Sequence, residues 1–518
     1  MKIFTAFIIT IIILIGLTCG SALAKLNKLE NITLSAESNP ELLTSAKPFS
    51  LDDHIISASF FHWYTKYGGQ KSGPWLPIKG RASWTGTVDW WKTQIKQIML
   101  ANIDVLYVHL MPSMEAQRIS FFLALYEMRL DGYDVPKVAP FLDPIITWGG
   151  TKYDLSIEAN KTMLVDQYIR FFTQYFNTNP DEFADDYLAV IDNRVVLDTW
   201  HLRVNFYNIS SFTRSDMEDP LAAEFGVGHP VFNNGIYQVT TDASDTFTFA
   251  DEKVKQFQVH AYSSITYFNG IRSVQLKPGY WDQNIRDPGY CLKRDGGSHY
   301  SNVWNTVPDP LTVDRVYIES WNEYDEGSGI YAANPTNTYI ASSNPSTDYW
   351  SRVNNPFEYI KTTYEGARNF KSSEINAKDS IILWHNIPTN MIIDQTIHCS
   401  VYVRNTGFDL WSSNNNYCFG QRLEDDTAFG PGRYYFDDAE NEVDFYSGVF
   451  KGRAVKFDLD VIAPDVSGVY DTHWRMLQEY VAWFGESITN TIYVDVPEPS
   501  AVFYLGFALM MITIAPFR

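Results

Sequence analysis

At 518 residues the chain is too long for one ordinary hydrophobic core and is expected to divide into two or more domains. A content of 45% hydrophobic and 15% aromatic residues excludes a disordered polymer, and 15 Trp, 32 Tyr and 33 Phe supply flat faces that suit sugar rings. The formal net charge of -21 repels phosphate backbones and anionic headgroups, which argues against nucleic acid as a partner.

Residues 1–24 read as a signal peptide. Lys2 gives the positive end, Ile3 to Leu17 the apolar stretch, and Ala22-Leu23-Ala24 a small-x-small cleavage site. Residues 25–50 are polar and aperiodic, as a linker would be. From 51 to 370, short apolar runs alternate with helix-like stretches. The runs are IISASFFHWY (55–64), DVLYVHLMP (104–112), KVAPFLDP (137–144), RVVLDTWHL (194–202), FQVHAYSS (257–264), SVQLKPGYWD (273–282) and RVYIESWNEY (315–324), with a weaker one in HPVFNNGIYQV (229–239). Between them, 88–101 and 161–176 carry apolar residues at three-to-four spacing. Nearly continuous apolar strands, each followed by a helix, predict a parallel sheet covered on both faces, and eight such units fit a (β/α)8 TIM barrel.

Each run ends in polar or aromatic residues: His62, Trp63 and Tyr64, then His109, Asp143, Asp198 with Trp200, His260 with Tyr262, Tyr280 with Asp282, and Glu323. Any one of them fits a structural role, but their recurrence at strand ends points to a cleft. The sharpest feature is SWNEYDEG (320–327). On a continuing strand Glu323 and Glu326 point to opposite faces. If the chain turns after Trp321, which Gly327 and Gly329 permit, they lie side by side. Neighbouring carboxyls split their affinities for a proton, leaving one as acid and one as base, as glycosidic cleavage requires. A solvated acidic loop is the plain alternative. No metal-ligand spacing appears, so no metal or other cofactor is expected.

SWNEYDEG resembles the Asn-Glu-Trp-x-Glu-Gly-Thr-x-Ile motif that closes the last strand of glycoside hydrolase family 99 and its relatives. KPGYWDQNIRDPG followed by Arg and GGSHYSNVW (277–304) resembles that family's Pro-Gly-Tyr-x-Asp…Arg…Tyr…Trp stretch. FFHWY, IDVLYVHL and FLDP are similar to its first three strands, so the likeness runs over roughly 55–335 in consistent order. The resemblance implies that Glu323 is the base assisting the sugar 2-hydroxyl and Glu326 the acid/base at the leaving oxygen. It also implies a retaining route through a 1,2-anhydro sugar, without metal. Tyr280 and Asn322 match cleft positions. Asp143 stands where the family has Glu, and His62 where it has Pro. Together with Asp282, Trp63, Tyr64, His109, Trp200 and Tyr262 these form the expected substrate-binding set. An α-mannoside is the family's typical substrate.

From 375 to 495 the pattern changes to short strands with turn signals, a β-sandwich signature. RNTGFDLW (404–411) and WRMLQEYVAWFGE (474–486) resemble the four-tryptophan (FW) Ig-like domain. Trp384, Trp411, Trp474 and Trp483 are its candidate tryptophans, expected first as core anchors. Cys399 and Cys418 either close a disulfide in an oxidising compartment or stand as two buried thiols. VPEPS (496–500), the apolar run to Phe517 and Arg518 resemble the PEP-CTERM sorting signal. That likeness implies an exosortase-type protease as partner, a transient membrane segment, and delivery to the surface or matrix of a Gram-negative bacterium. A plain C-terminal membrane anchor is the alternative.

The leading expectation is a secreted or surface glycoside hydrolase, endo-acting on polysaccharide or oligosaccharide. The alternative is a non-catalytic glycan-binding or matrix protein on a degenerate barrel, which would be expected to lose the carboxylates first. A deacetylase is disfavoured by the missing metal-ligand pattern.

Overall fold

The computed structural model describes residues 40–66, 73–240, 247–255, 264–336, 338–340, 347–422, 428–436, 442–443 and 446–496. The expected signal peptide, most of the linker, the sorting tail beyond 496, His260 and Tyr262 lie outside the described residues.

Eight strands run parallel: β1 (Ile55–Phe60), β2 (Val105–His109), β3 (Lys137–Leu142), β4 (Arg194–Thr199), β5 (Ile236–Thr240), β6 (Glu252–Lys253), β7 (Ile271–Leu276) and β8 (Arg315–Ile318). Pairing follows chain order from β1 to β6, and β8 joins β7 on one side to β1 on the other. At the remaining seam, between β6 and β7, Ser273 Oγ donates to the Lys253 carbonyl at 2.6 Å. The sheet is thus nearly closed into a barrel.

Strand parity decides which side chains enter it. Ile55, Val105, Tyr107, Ala139, Phe141, Val196, Tyr237, Val239 and Tyr317 pack together inside. Later positions of the same parity, among them Phe61, His109, Asp143 and Trp200, line the cavity described below. The alternate residues meet the helices: Phe60 packs on Trp91 and Phe121, with ring centroids 5.4 and 4.4 Å apart.

Helices α1 (Val88–Leu100), α2 (Glu115–Leu130), α3 (Glu158–Thr178), α4 (Arg214–Phe225), α5 (Ser298–Thr306) and α6 (Glu358–Phe370) follow β1, β2, β3, β4, β7 and β8. Capping explains several starts. Thr87 accepts from Trp90 N ahead of α1, and Thr213 and Asp216 form a reciprocal capping box at α4. Among the described residues no helix follows β5 or β6, and the expected strand over 257–264 lies almost wholly outside them. Only 241–251 separate those strands, too few for an ordinary helical crossover. Before β7 the chain makes an antiparallel hairpin with Thr266–Phe268 instead.

Part of the expected linker is packed. Leu42 is buried, Phe49 N donates to the Val190 carbonyl at 2.9 Å, and the Phe49 carbonyl accepts from Asp192 N at 2.9 Å.

Beyond α6 the described residues are mainly β. Strands β9 (Ser380–His385), β11 (Thr396–Asn405) and β14 (Ala454–Ile462) form one sheet. A second holds β10 (Asn390–Ile392), β12 (Tyr417–Arg422), β13 (Arg433–Tyr434), β15 (Gly468–Gln478) and β16 (Ala482–Asp495). Val401, Val403, Phe457 and Leu459 from the first share a core with Phe419, Trp474, Met476 and Ile492 from the second. Trp411 and Trp474 are core anchors as expected. Trp384 and Trp483 are half-buried, and the latter's ring lies 4.9 Å from the Arg433 guanidinium. Cys399 and Cys418 stand as separate buried thiols.

The β region docks beneath the barrel, at the amino ends of its strands. Arg404 Nε donates to the Gly132 carbonyl at 2.6 Å, and Asp134 N to the Gly452 carbonyl at 2.8 Å. Gly452 has φ +85°, and a Cβ there would come within 3.0 Å of the Asp134 carbonyl, so the close approach needs glycine. Lys371 donates to both oxygens of Asp104 at 2.9 Å, with both side chains largely enclosed. Lys371→Ala leaves Asp104 without its cation and is expected to cost about 3 kcal/mol, read as a lower denaturant midpoint at unchanged slope.

Candidate active site

The β1–β8 ladder ends at Ala58 and Ile318. Past it, Trp321 N donates to the Ser59 carbonyl at 2.9 Å. Asn322 then grips Phe61 twice: Oδ1 accepts from its N–H and Nδ2 donates to its carbonyl, each at 2.8 Å. Beyond this clip the chain turns. Glu323 N donates to Ser320 Oγ at 2.6 Å, Gly327 N to the Tyr324 carbonyl at 3.2 Å, and Ser328 N to the Glu323 carbonyl at 3.2 Å. Gly327 takes φ +58°. The turn, not a continuing strand, brings Glu323 and Glu326 to one cavity of about 340 Å³ at the carboxyl ends of the barrel strands.

Glu323 is the enclosed member. Its Oε1 accepts from Tyr64 OH at 2.5 Å, Asp325 N at 3.2 Å and Glu326 N at 3.3 Å. Burial raises its pKa well above the usual carboxyl range and the Glu326 charge adds to this, against the pull of the Tyr64 bond. Glu326 is partly open and ion-paired: Arg286 Nη2 donates to its Oε1 at 2.6 Å. The same guanidinium reaches Asp282 Oδ2 at 2.8 Å and Tyr280 OH at 2.9 Å.

Across the cavity, Asp143 caps the short helix Pro144–Trp148, accepting from Ile145 N at 2.9 Å and Ile146 N at 3.2 Å. Burial raises its pKa to about 6, and Glu326 adds to the rise although the two amides oppose it. Ile145, Ile146, Trp200 and Phe61 make an apolar flank. At the floor, Lys277 pairs with Glu319 at 2.9 Å, both 1% exposed, and lies 4.6 Å from the Tyr280 ring centre. His109 closes the floor between Phe61 and Phe141, each ring 4.0 Å away, and burial lowers its pKa.

Of the expected residues, Glu323, Glu326, Tyr280, Asp143, His109 and Trp200 line this cavity. Tyr64, Asn322 and Asp282 stand behind it as partners of the lining groups. His62 and Trp63 are core residues that do not line it. Parity accounts for His62, since on β1 it is Phe61 that shares the inward side with Ile55. Tyr262 lies outside the described residues. Sequence reasoning missed Phe61, Ile145, Ile146, Lys277 and Arg286. Lys277 was legible as the next inward position after Ser273 and Gln275, and Arg286 as the cation four residues past Asp282. Among the described residues no cluster of three or more His, Cys, Asp or Glu is arranged to hold a metal ion.

No protein-family model and no curated protein matches the chain. Among solved structures, a family 99 endo-α-mannosidase from Bacteroides thetaiotaomicron is 13% identical with a TM-score of 0.42, the alignment covering 62% of this chain and 99% of that one. An endo-β-1,4-mannanase from Thermotoga petrophila is 8% identical with a TM-score of 0.19, covering 86% of this chain and 99% of that one. The barrel is defined by its strand order and the site by its cavity.

Asp143 gives the site a measurable pH signature. Its folded value of about 6 lies above the ordinary 3.8, so the unfolded chain releases this proton first. Its contribution to stability is therefore complete below the unfolded value and lost as pH rises through the folded one. Between those two values Asp143→Asn is expected to lose less melting temperature with rising pH than the wild type, as followed by thermal denaturation.

Proposed function

We propose that the chain is a glycoside hydrolase that cleaves a polysaccharide or oligosaccharide using Glu323 and Glu326. The observation that carries this reading is that one turn delivers two carboxyl groups of unlike environment, one enclosed and one ion-paired, to a single cavity at the carboxyl ends of barrel strands.

In the order the resemblance implies, Glu323 takes the proton of the sugar 2-hydroxyl as O2 bonds to the anomeric carbon. The bond to the leaving oxygen breaks, and that oxygen takes the proton of Glu326. Water then opens the 1,2-anhydro ring, giving its proton to Glu326 while O2 recovers one from Glu323, and configuration is retained. Tyr64 holds Glu323 in place, and Asn322 sets the turn that aims both groups. The enclosure of Glu323 favours the opposite order, since burial raises its pKa well above the ordinary carboxyl range while Glu326 is ion-paired with Arg286. The resemblance makes an α-mannoside one candidate substrate. The terminal segments support an exported protein, processed by an exosortase-type protease and delivered to a Gram-negative cell surface or matrix, with the β region as an Ig-like accessory module.

Reducing-sugar release from a polysaccharide panel, α-mannans included, tests the reading. Glu323→Gln and Glu326→Gln are each expected to lower release by about 10²–10⁴-fold. A glycoside whose leaving group departs without a proton then separates the two orders. The variant lacking the acid keeps turning it over, and the variant lacking the base does not. Unaltered release by both variants removes the pair from the mechanism. Tight glycan binding with no release by wild type instead indicates the binding-protein alternative.

A further inference from the structure

Arg286 stands on the rim of the cavity with half of its side chain in solvent, where an isolated ion pair contributes little. Its setting is not that of an isolated pair. One guanidinium nitrogen is bonded to Glu326, and the other to both Asp282 and Tyr280 OH. Asp282 is itself 5% exposed at its side chain and fully engaged. Its Oδ2 accepts from Tyr280 OH at 3.1 Å, its Oδ1 from Tyr290 N at 2.5 Å, and its carbonyl from Ile285 N and Arg286 N, each at 2.9 Å. The segment from Tyr280 to Tyr290 is thus folded around a buried carboxylate that anchors the guanidinium. The same segment holds the main chain of the turn, since Trp281 N donates to the Glu326 carbonyl at 2.8 Å.

We propose that Arg286 is the positioning residue of Glu326, fixing one carboxyl oxygen so that the other faces the cavity, with Asp282 as its anchor. The proposal rests on the hydrolase reading for its catalytic sense. An arginine fork serves this role because it stays charged at every working pH and spans two acceptors at a fixed angle. A lysine supplies the charge without that geometry. The cation also bears on the pair, because after burial the charge of Glu326 does most to raise the pKa of the enclosed Glu323.

The test uses the full chain, as wild type, Arg286→Lys, Arg286→Gln and Asp282→Asn. The first readout needs no substrate: carbodiimide-driven labelling of carboxyl groups with an amine, located by peptide mass spectrometry. Glu326 is expected to label severalfold faster in Arg286→Gln than in wild type, with Asp282→Asn in between. Equal labelling overturns the proposal whatever the chain hydrolyses. The second readout is kinetic. Arg286→Gln is expected to lower kcat about 100-fold with KM little changed, and to displace the pH–activity profile. Arg286→Lys should restore the profile but only part of kcat. An unchanged kcat and profile in Arg286→Gln, beside an active wild type, overturns the positioning role. A wild type that hydrolyses nothing overturns the hydrolase reading, and the labelling ratio still reports separately whether Arg286 holds Glu326.

Discussion

Asn322 commits both ends of its side-chain amide to the main chain of Phe61, across 261 positions of sequence. The regular ladder between the first and last barrel strands has already ended at that height. Without the clip, the Phe61 N–H and carbonyl would sit buried and unpaired, at about 1–3 kcal/mol each. A side chain thus does what a continuing strand would otherwise do, which releases the chain after it to turn. The turn, in turn, lets two carboxyls three residues apart share one cavity.

The cavity's charges are arranged in layers. Each cation on its wall has a carboxylate partner behind it: Glu319 for Lys277 and Asp282 for Arg286. The enclosed Lys277–Glu319 pair contributes little net stability, because desolvation offsets its attraction, but removing one partner is costly. The effect of the two pairs is to hold positive charge at fixed points beside Tyr280, which touches both cations. Glu323 and Asp143 lie on apolar or amide-lined ground instead, and burial raises the pKa of each. One small space therefore contains carboxyl groups in contrasting surroundings, as acid–base chemistry requires.

Much of this was legible in the sequence because the barrel strands are short apolar runs, and their order fixes the parallel sheet. The carboxylate turn was legible too, from the glycines that follow it. What the runs did not convey was parity. Attention to chemically attractive types selected His62, whereas the pleat turns Phe61 into the cavity and hides its neighbour in the core. The same rule would have singled out Lys277, two and four residues after the inward Gln275 and Ser273. Arg286 was hidden for another reason, since its role depends on a loop folded around Asp282 and not on any strand. The absence of helices after β5 and β6 among the described residues was equally hard to read, because the sixth strand is only Glu252–Lys253 and leaves almost no pattern.

The Asn322 clip also sets an order of events in synthesis. Phe61 is made early and waits for a partner that emerges only after most of the barrel has been translated. Contacts so distant along the chain form late in folding. A nascent or truncated chain ending before Asn322 would hold most of the strands yet lack the turn that carries Glu323 and Glu326. Any activity of this cavity therefore belongs to the completed barrel.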